Sequence, residues 1–246
     1  MLTITTGRSG TGFLARALGA WPTVRALHEP RPRFSSSFRA VQAAPHLARE
    51  FWTLEKLASI ERGARPVHVE TSHLACKGFL ESLVELGARP DLVHLRRGPR
   101  AVARSLWSLR TVPGRTLRGV RYYLSPADRN FLPVAAERAA RWNDYQLCYW
   151  YCLEADARAA HYRASFAPLG VRVHEVALEA ILAPEPLIEL GRALELGPLG
   201  PLGRVRLAYV LGRRWNEKTG EKRPEVLPEA ELDGWEQEIR EACGLA

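Results

Sequence analysis

The sequence predicts an α/β fold in which a mostly parallel sheet lies between two layers of helices. Short apolar runs rich in β-branched residues alternate along the chain with longer stretches of helical periodicity. Such an alternation requires crossover connections, which produce a parallel sheet covered on both faces. The first strand also leads directly into a glycine-rich turn and a helix. We therefore expect ligands to bind beyond the carboxyl ends of the strands.

The predicted elements follow from local patterns in chain order. The strands are short buried or alternating runs at residues 2–6, after the turn at 20–24, and at 67–71, 91–95 and 171–176. The helices are periodic stretches that begin at 13 and near 100 and that cover 36–62, 74–87, 133–164, 184–195 and 228–242. Prolines exclude a helix through 28–33, and the irregular, basic stretch 110–131 is expected to be a substrate lid.

The length and charge of the chain bound its domain organisation and its partners. We predict one domain over residues 1–246, because the length suits one large α/β domain and no linker interrupts it. The net charge is +8, with 35 basic and 27 acidic residues, and Arg outnumbers Lys. Arginine suits phosphate and sulfate ligands. The basic residues are scattered without a dense tract or an aromatic ladder, so no nucleic-acid partner is predicted.

Cysteine usage and hydropathy indicate the compartment. The four cysteines form no CxxC pair and no His cluster has zinc spacing, so we expect reduced thiols and no structural zinc. The first strand begins at residue 2, and no run is long enough to span a membrane. We therefore expect a cytoplasmic protein without a membrane partner. The alternative is the luminal catalytic domain of a longer chain.

A glycine-rich turn after the first predicted strand carries most of the functional information. Gly7, Gly10 and Gly12 fall within six residues and are followed at once by a helical pattern. Glycines let the backbone turn tightly and approach an anion, and the first N–H groups of the helix then point at that anion. The pattern predicts a phosphate-binding loop. The alternative is a glycine-rich turn that binds no ligand.

This loop differs from the phosphate loop of magnesium-dependent nucleotide enzymes. Gly7 and Gly12 have the spacing of G-x-x-x-x-G, but Phe13 and Leu14 follow them. A nucleotide P-loop needs Lys at the first of these positions for the β- and γ-phosphates and Ser or Thr at the second for magnesium. The loop carries its own cation and hydroxyls at Arg8, Ser9 and Thr11. It is therefore suited to a phosphate but not evidently to magnesium-bound ATP.

A second anion site is predicted at the end of the strand 91–95. The strand runs into two arginines, and Ser105 follows eight residues after Arg97 on the next predicted helix. A P-loop NTPase places its magnesium-binding acid at such a strand end, whereas arginines repel a metal and attract an anion. Arg97 and Ser105 can hold one small anion between a guanidinium and a hydroxyl. The alternative is a solvated helix start with ordinary surface arginines.

Three stretches resemble the sulfotransferases that use 3′-phosphoadenosine 5′-phosphosulfate (PAPS). The 5′-phosphosulfate loop of that family is similar to Thr6–Gly12, and its 3′-phosphate motif, with Arg and Ser eight apart, is similar to Arg97–Ser105. Residues 20–31 are similar to the segment of protein-tyrosine sulfotransferases that carries the catalytic glutamate, where a Glu precedes Arg by two residues as Glu29 precedes Arg31. The likeness, shared with bacterial sulfotransferases, covers about the first 110 residues.

The match is incomplete at two loop positions and in the C-terminal half. The family often has Thr at the position of Gly12 and Asp at that of Gly98. These departures remove a side-chain contact but leave the backbone cradle. Beyond about residue 110, the likeness is limited to the expected polar segment 213–223.

The resemblance implies a fold, a co-substrate and roles for particular residues. It implies the P-loop NTPase-like sulfotransferase fold and binding of PAPS without a metal. The implied contacts of the 5′-phosphosulfate are the loop residues Gly7, Arg8, Ser9, Gly10, Thr11, Gly12 and Phe13. Arg97 and Ser105 would hold the 3′-phosphate, and Lys218 and Arg214 would close over the nucleotide. Alternatively, these last two residues belong to a solvated charged loop.

Two residues are candidates for the base that takes the proton of the acceptor. Glu29 lies just beyond the first predicted helix between prolines, although it can instead be a loop carboxylate paired with Arg31 or Arg33. His73 is the rival, because cytosolic sulfotransferases place a catalytic His in a similar Thr-His-Leu setting, although it can instead be a structural hydrogen bonder. Arg8 would stabilise the charge that develops on the leaving 5′-phosphate.

These expectations describe transfer of a sulfuryl group from PAPS to an acceptor hydroxyl. The acceptor can be a small molecule, a sugar or a peptide, and the oligomeric state is left open. A metal-dependent P-loop small-molecule kinase is one alternative, and Phe13 counts against it. A non-catalytic protein that binds adenosine 3′,5′-bisphosphate is another.

Overall fold

The computed structural model describes residues 1–213, 215 and 225–245, and it confirms the α/β fold. In this part of the chain, one five-stranded, all-parallel sheet has the order β2-β3-β1-β4-β5. The strands are β1 (Leu2–Ile4), β2 (Val24–His28), β3 (Val67–Thr71), β4 (Leu92–Arg96) and β5 (Val173–Ala177).

The helices of the described residues occupy most of the chain between these strands. In chain order the α-helices and the π-helix are α1 (Thr11–Leu18), α2 (Phe34–Ala43), α3 (Leu47–Glu50), a π-helix (Phe51–Lys56), α4 (Leu57–Glu61), α5 (Leu80–Glu85), α6 (Pro99–Ser108), α7 (Leu117–Tyr122), α8 (Ala136–Ala140), α9 (Asp144–Phe166), α10 (Pro184–Ala193), α11 (Pro201–Leu211) and α12 (Glu229–Ala242). Two short 3₁₀ helices span Ala167–Leu169 and Ala180–Leu182. Within the described ranges, no helix has both the length and the apolar character needed to cross a bilayer.

Several helices differ from the sequence-based expectation. The helix predicted over 36–62 is divided after α2, where Ala44 is extended because a proline follows it. The helix α11 was not predicted, although its start has the Gly-Pro pair that favours a first helical turn. The stretch 110–131, predicted to be irregular, contains α7. The long helix predicted over 133–164 consists of α8 and α9.

Contacts between residues divide the chain into two compact units. The first comprises Met1–Arg97 and the described residues from Tyr162 to Trp215, and it contains the whole sheet. The second comprises Gly98–His161 and the described residues from Glu225 onward. Each unit is described separately below, and the single domain expected over 1–246 stays a prediction.

In the first unit, helices cover both faces of the sheet. Successive residues of a strand point to opposite faces. Val69 joins a buried apolar cluster with α1, α10 and α11, whereas its neighbour Glu70 pairs with Lys56 of the π-helix. The Lys56 ammonium also lies over the ring of Phe34. The aromatic cluster on that second face consists of Phe34, Phe51, Trp52 and Phe79. The result is a three-layer α/β/α arrangement.

Buried and half-buried polar groups connect the helices of the second unit. Glu236 of α12 accepts hydrogen bonds from Arg100 of α6 and from the hydroxyl of Tyr145 of α9. Glu154 of α9 accepts the backbone N–H groups of residues 131 and 132 and pairs with Arg158. Burial raises the pKa of the Glu154 carboxyl, even though these partners favour the ionised form. The last part of the predicted lid is thereby fastened to α9.

Candidate active site

Four predicted site residues follow the carboxyl ends of four neighbouring strands. Arg8 lies after β1, Glu29 after β2, His73 after β3 and Arg97 after β4. Because the strands are parallel, their carboxyl ends lie at one edge of the sheet. Along the strand order, the chain continues from β1 toward β2 but from β4 toward β5, which is the opposite direction. The carboxyl ends of the adjacent strands β1 and β4 therefore form a topological switch point.

The loop after β1 has the backbone geometry of an anion cradle. Gly7, Arg8 and Gly10 have positive φ angles of 77°, 58° and 86°, which only glycine adopts without strain. Gly10 is the N-cap of α1 and provides no side-chain hydrogen bond to the first turn. Because no N-cap side chain accepts from the first turn of α1, its first N–H groups can donate to another acceptor. The N-terminus of a helix attracts anions. The predicted phosphate loop therefore has a suitable conformation.

The Ser9 hydroxyl anchors this loop to the sheet. The Thr5 hydroxyl donates a 2.8 Å hydrogen bond to the carbonyl of Leu95 in β4, and Ser9 is its other hydroxyl partner. A hydroxyl has only one proton, so Ser9 must be the donor in the pair with Thr5. The Ser9 side chain is fully buried. Any contact of Ser9 with an anion would therefore come from its backbone.

The remaining loop residues hold the start of α1 in place. Thr11, Gly12 and Phe13 are buried in the first turn of this helix. The carbonyl of Thr11 accepts a 2.9 Å hydrogen bond from the Thr71 hydroxyl at the end of β3. Phe13 belongs to the apolar cluster beneath the helix. The position that a P-loop gives to lysine is therefore occupied by a core side chain.

Arg97 connects the two predicted phosphate motifs. One guanidinium nitrogen, Nη1, donates a 2.9 Å hydrogen bond to the backbone carbonyl of Arg8. A guanidinium has five N–H donors, so this bond leaves others for a ligand. Ser105 is half-buried on α6 in the second unit. Lys218 and Arg214 lie outside the described residues.

The two rival bases, Glu29 and His73, lie next to each other. Oε1 of Glu29 is 3.7 Å from Nε2 of His73, and the Glu29 side chain is 38% exposed. Glu29 has a left-handed φ of 48°, a strained conformation for a residue other than glycine, and strain of this kind clusters at functional sites. Among the described residues, the titratable side chain beside the Glu29 carboxylate is His73 and not Arg31 or Arg33.

His73 also brings this pair against the phosphate loop. A Cβ added at Gly7 would lie 3.1 Å from Cγ of His73, closer than ordinary van der Waals contact. The Glu29 backbone is fixed as well, because its N–H donates to the carbonyl of Thr71 in β3. The base candidates and the phosphate loop are therefore neighbours within one unit.

A third residue, Lys77, joins the pair and was missed from the sequence. Its ammonium nitrogen Nζ is 3.1 Å from Nδ1 of His73 and 5.5 Å from the centre of the Phe38 ring. The residue is only 1% exposed. The sequence did contain a signal that could have revealed it. Lys77 follows His73 by four residues in a stretch that is otherwise apolar. Glu29, His73 and Lys77 form a line of polar groups that runs from the protein interior to the surface.

Comparison with known proteins adds no family to these observations. In the described ranges, no group of three or more His, Cys, Asp or Glu side chains is arranged to hold a metal ion. Comparisons of the chain with protein-family models, curated proteins and solved structures give no match. Its function must therefore be inferred from the residues and their geometry.

Proposed function

We propose that this protein is a sulfotransferase that moves a sulfuryl group from PAPS to an acceptor hydroxyl. One observation supports this most strongly. The Glu29–His73 pair lies against Gly7 of a cradle-shaped loop, and Arg97 ties that same loop to β4. A general base beside an anion site is what transfer to a hydroxyl requires.

The residues present fit the nucleotide that this function needs. The backbone N–H groups of the loop, with Arg8 and Thr11, would hold the 5′-phosphosulfate at the N-terminus of α1. The N–H groups of Arg97 that are not bonded to Arg8 would hold the 3′-phosphate. Phe13 stands where a magnesium-dependent loop needs lysine, so ATP fits this loop less well.

The chain supplies a base and a stabiliser of negative charge. When PAPS is bound, the acceptor oxygen bonds to sulfur as the bond from sulfur to the bridging phosphate oxygen breaks, and adenosine 3′,5′-bisphosphate leaves with that electron pair. Glu29 takes the acceptor proton, because its carboxylate is the exposed end of the Glu29–His73–Lys77 line. Arg8 and the loop N–H groups stabilise the charge on the leaving oxygen.

Nucleotide binding provides the first test. We expect adenosine 3′,5′-bisphosphate to bind equally well with and without EDTA and more tightly than magnesium-bound ATP. Calorimetry measures this directly, and a ligand at a hundred times its Kd should stabilise the fold by about 2.7 kcal/mol. Binding that requires magnesium, or that prefers ATP, contradicts the proposal and favours a kinase.

Turnover separates an enzyme from a binding protein. The protein is incubated with PAPS and a panel of small-molecule, sugar and peptide acceptors, and the products are identified by mass. A sulfated product is expected from at least one acceptor class. Tight binding of adenosine 3′,5′-bisphosphate without any sulfated product would favour the non-catalytic alternative.

A further inference from the structure

Lys77 is the one member of the Glu29–His73–Lys77 line that is fully withdrawn from solvent. Its Nζ contacts Nδ1 of His73 on one side and the Phe38 ring on another. Burying a lysine ammonium is costly unless it is paired or hydrogen-bonded. The 3.1 Å contact with His73 is one of the interactions that satisfy this buried group.

The chemistry of this contact decides which imidazole nitrogen carries the proton. The ammonium form of Lys77 has three donors and no acceptor, so in this form it donates to Nδ1 of His73. In a neutral imidazole the other nitrogen then carries the hydrogen. That nitrogen, Nε2, is the one that faces Oε1 of Glu29 at 3.7 Å.

We propose that Lys77 is a positioning residue that fixes the tautomer of His73 and, through it, the carboxylate of Glu29. His73 directs an N–H toward Glu29, so its Nε2 has no lone pair with which to take a proton from the acceptor. Glu29 keeps the lone pairs that do so. The catalytic part of this inference rests on the proposed function, because it assigns the proton-accepting role to Glu29 and not to His73.

Nitrogen NMR of ligand-free protein labelled at histidine tests the tautomer without any assay of activity. At about pH 8, where an ordinary imidazole is neutral, wild-type His73 should carry its proton on Nε2. In Lys77→Met this preference should be lost, while Lys77→Gln, which retains an N–H donor, should restore part of it. A wild-type proton on Nδ1, or unchanged His73 signals in Lys77→Met, would overturn the proposal.

A second buried lysine provides a matched control. Lys56 is also 1% exposed, but it pairs with Glu70, which lies beside His68. Lys56→Met should change the signals of His68 and leave those of His73 unchanged, whereas Lys77→Met should do the opposite. If both variants change the His73 signals equally, Lys77 affects His73 only through the stability of the whole fold and not through their direct contact. The wild-type tautomer remains decisive even where a variant folds poorly.

The activity of the variants tests the catalytic consequence. Lys77→Met should lower kcat roughly 10–100-fold, by analogy with the loss of a hydrogen-bonded partner behind a metal-ligating imidazole, with little change in KM for the nucleotide. A loss confined to KM would contradict a positioning role. If wild-type protein sulfates no acceptor but His73 has the expected tautomer, the proposed function fails. The inference that Lys77 fixes the tautomer of His73 then still stands.

Discussion

Two clusters around β3 contain the same three residue types in different arrangements. In the structural cluster, Glu70 is central and fully buried, with Lys56 at 2.7 Å and His68 at 3.4 Å. Burial lowers the pKa of the Lys56 ammonium, and the Glu70 carboxylate acts in the opposite direction. Every charge in this cluster faces a partner inside the protein, so the cluster serves the packing of the π-helix against β3.

In the site cluster, the histidine is central and the carboxylate lies at the open end. His73 is 3.7 Å from Glu29 and 3.1 Å from Lys77. The lysine is buried, but Glu29 remains 38% exposed and lies beyond the carboxyl end of β2. The two clusters therefore differ in the order of their groups and not in the identity of these groups. One order buries the carboxylate between two partners, and the other leaves it partly exposed.

The largest expected effect is on turnover in Glu29→Gln. The change preserves shape and removes the proton acceptor, so kcat should fall by about 10²–10⁴-fold. Affinity for adenosine 3′,5′-bisphosphate should stay near that of the wild type, because the phosphate loop does not use Glu29. Steady-state kinetics with a sulfated-product readout and calorimetry on the same preparation measure both quantities.

His73→Asn is the companion variant for this prediction. It should lower kcat less than Glu29→Gln does, since the proposed mechanism gives the acceptor proton to Glu29 and not to His73. The opposite ranking, with turnover lost in His73→Asn and kept in Glu29→Gln, would reverse the two roles. No effect from either variant would remove general base catalysis from the mechanism.

The second-largest effect is expected for Glu70→Gln, which should lower the free energy of unfolding. Removing one partner of a buried ion pair leaves the Lys56 charge uncompensated, which costs about 3–5 kcal/mol of unfolding free energy. Denaturant unfolding of wild type, Glu70→Gln and Glu29→Gln measures the difference. Glu29→Gln should unfold near the wild-type midpoint, because its carboxylate is partly exposed. Equal losses in the two glutamine variants would mean that the two clusters do not differ in kind.

The smallest of these effects is expected for Arg97→Ala, which extends the comparison to the phosphate loop. Loss of a charge-assisted contact should weaken binding of adenosine 3′,5′-bisphosphate by roughly 1.5–3 kcal/mol. Adenosine 5′-phosphosulfate, which lacks the 3′-phosphate, should lose less. The adjacent Arg96, which pairs with Glu175 at the surface, provides the control, because Arg96→Ala should leave both affinities unchanged.

The relative losses decide how Arg97 acts. Equal weakening for the two nucleotides would mean that Arg97 works only by holding the carbonyl of Arg8 and does not contact the 3′-phosphate. Calorimetry with both ligands on both variants separates these outcomes.

Local patterns account for the parts of the fold that the sequence predicted well. The β-branched runs became strands, and the glycine loop makes the expected tight turn, with positive φ angles at Gly7 and Gly10. The predicted helix 36–62 was wrong as a continuous element, since Pro45 removes one backbone donor and forces the preceding residue to be extended. The helix α11 was missed because it is apolar on both sides, with Val205 exposed and Leu207 buried, so no amphipathic period marks it.

The sequence by itself determined the alternation of strands and helices, the position of the glycine-rich loop after β1 and the identities of Arg8, Glu29, His73 and Arg97 as candidates. Glycine conformations and strand periodicity are properties of a few consecutive residues, so they can be inferred without knowledge of the fold. Only the tertiary structure brought Glu29 beside His73, added Lys77 behind them and joined Arg97 to the loop. These contacts join residues that are distant along the chain, and they depend on the order in which the parallel strands pair.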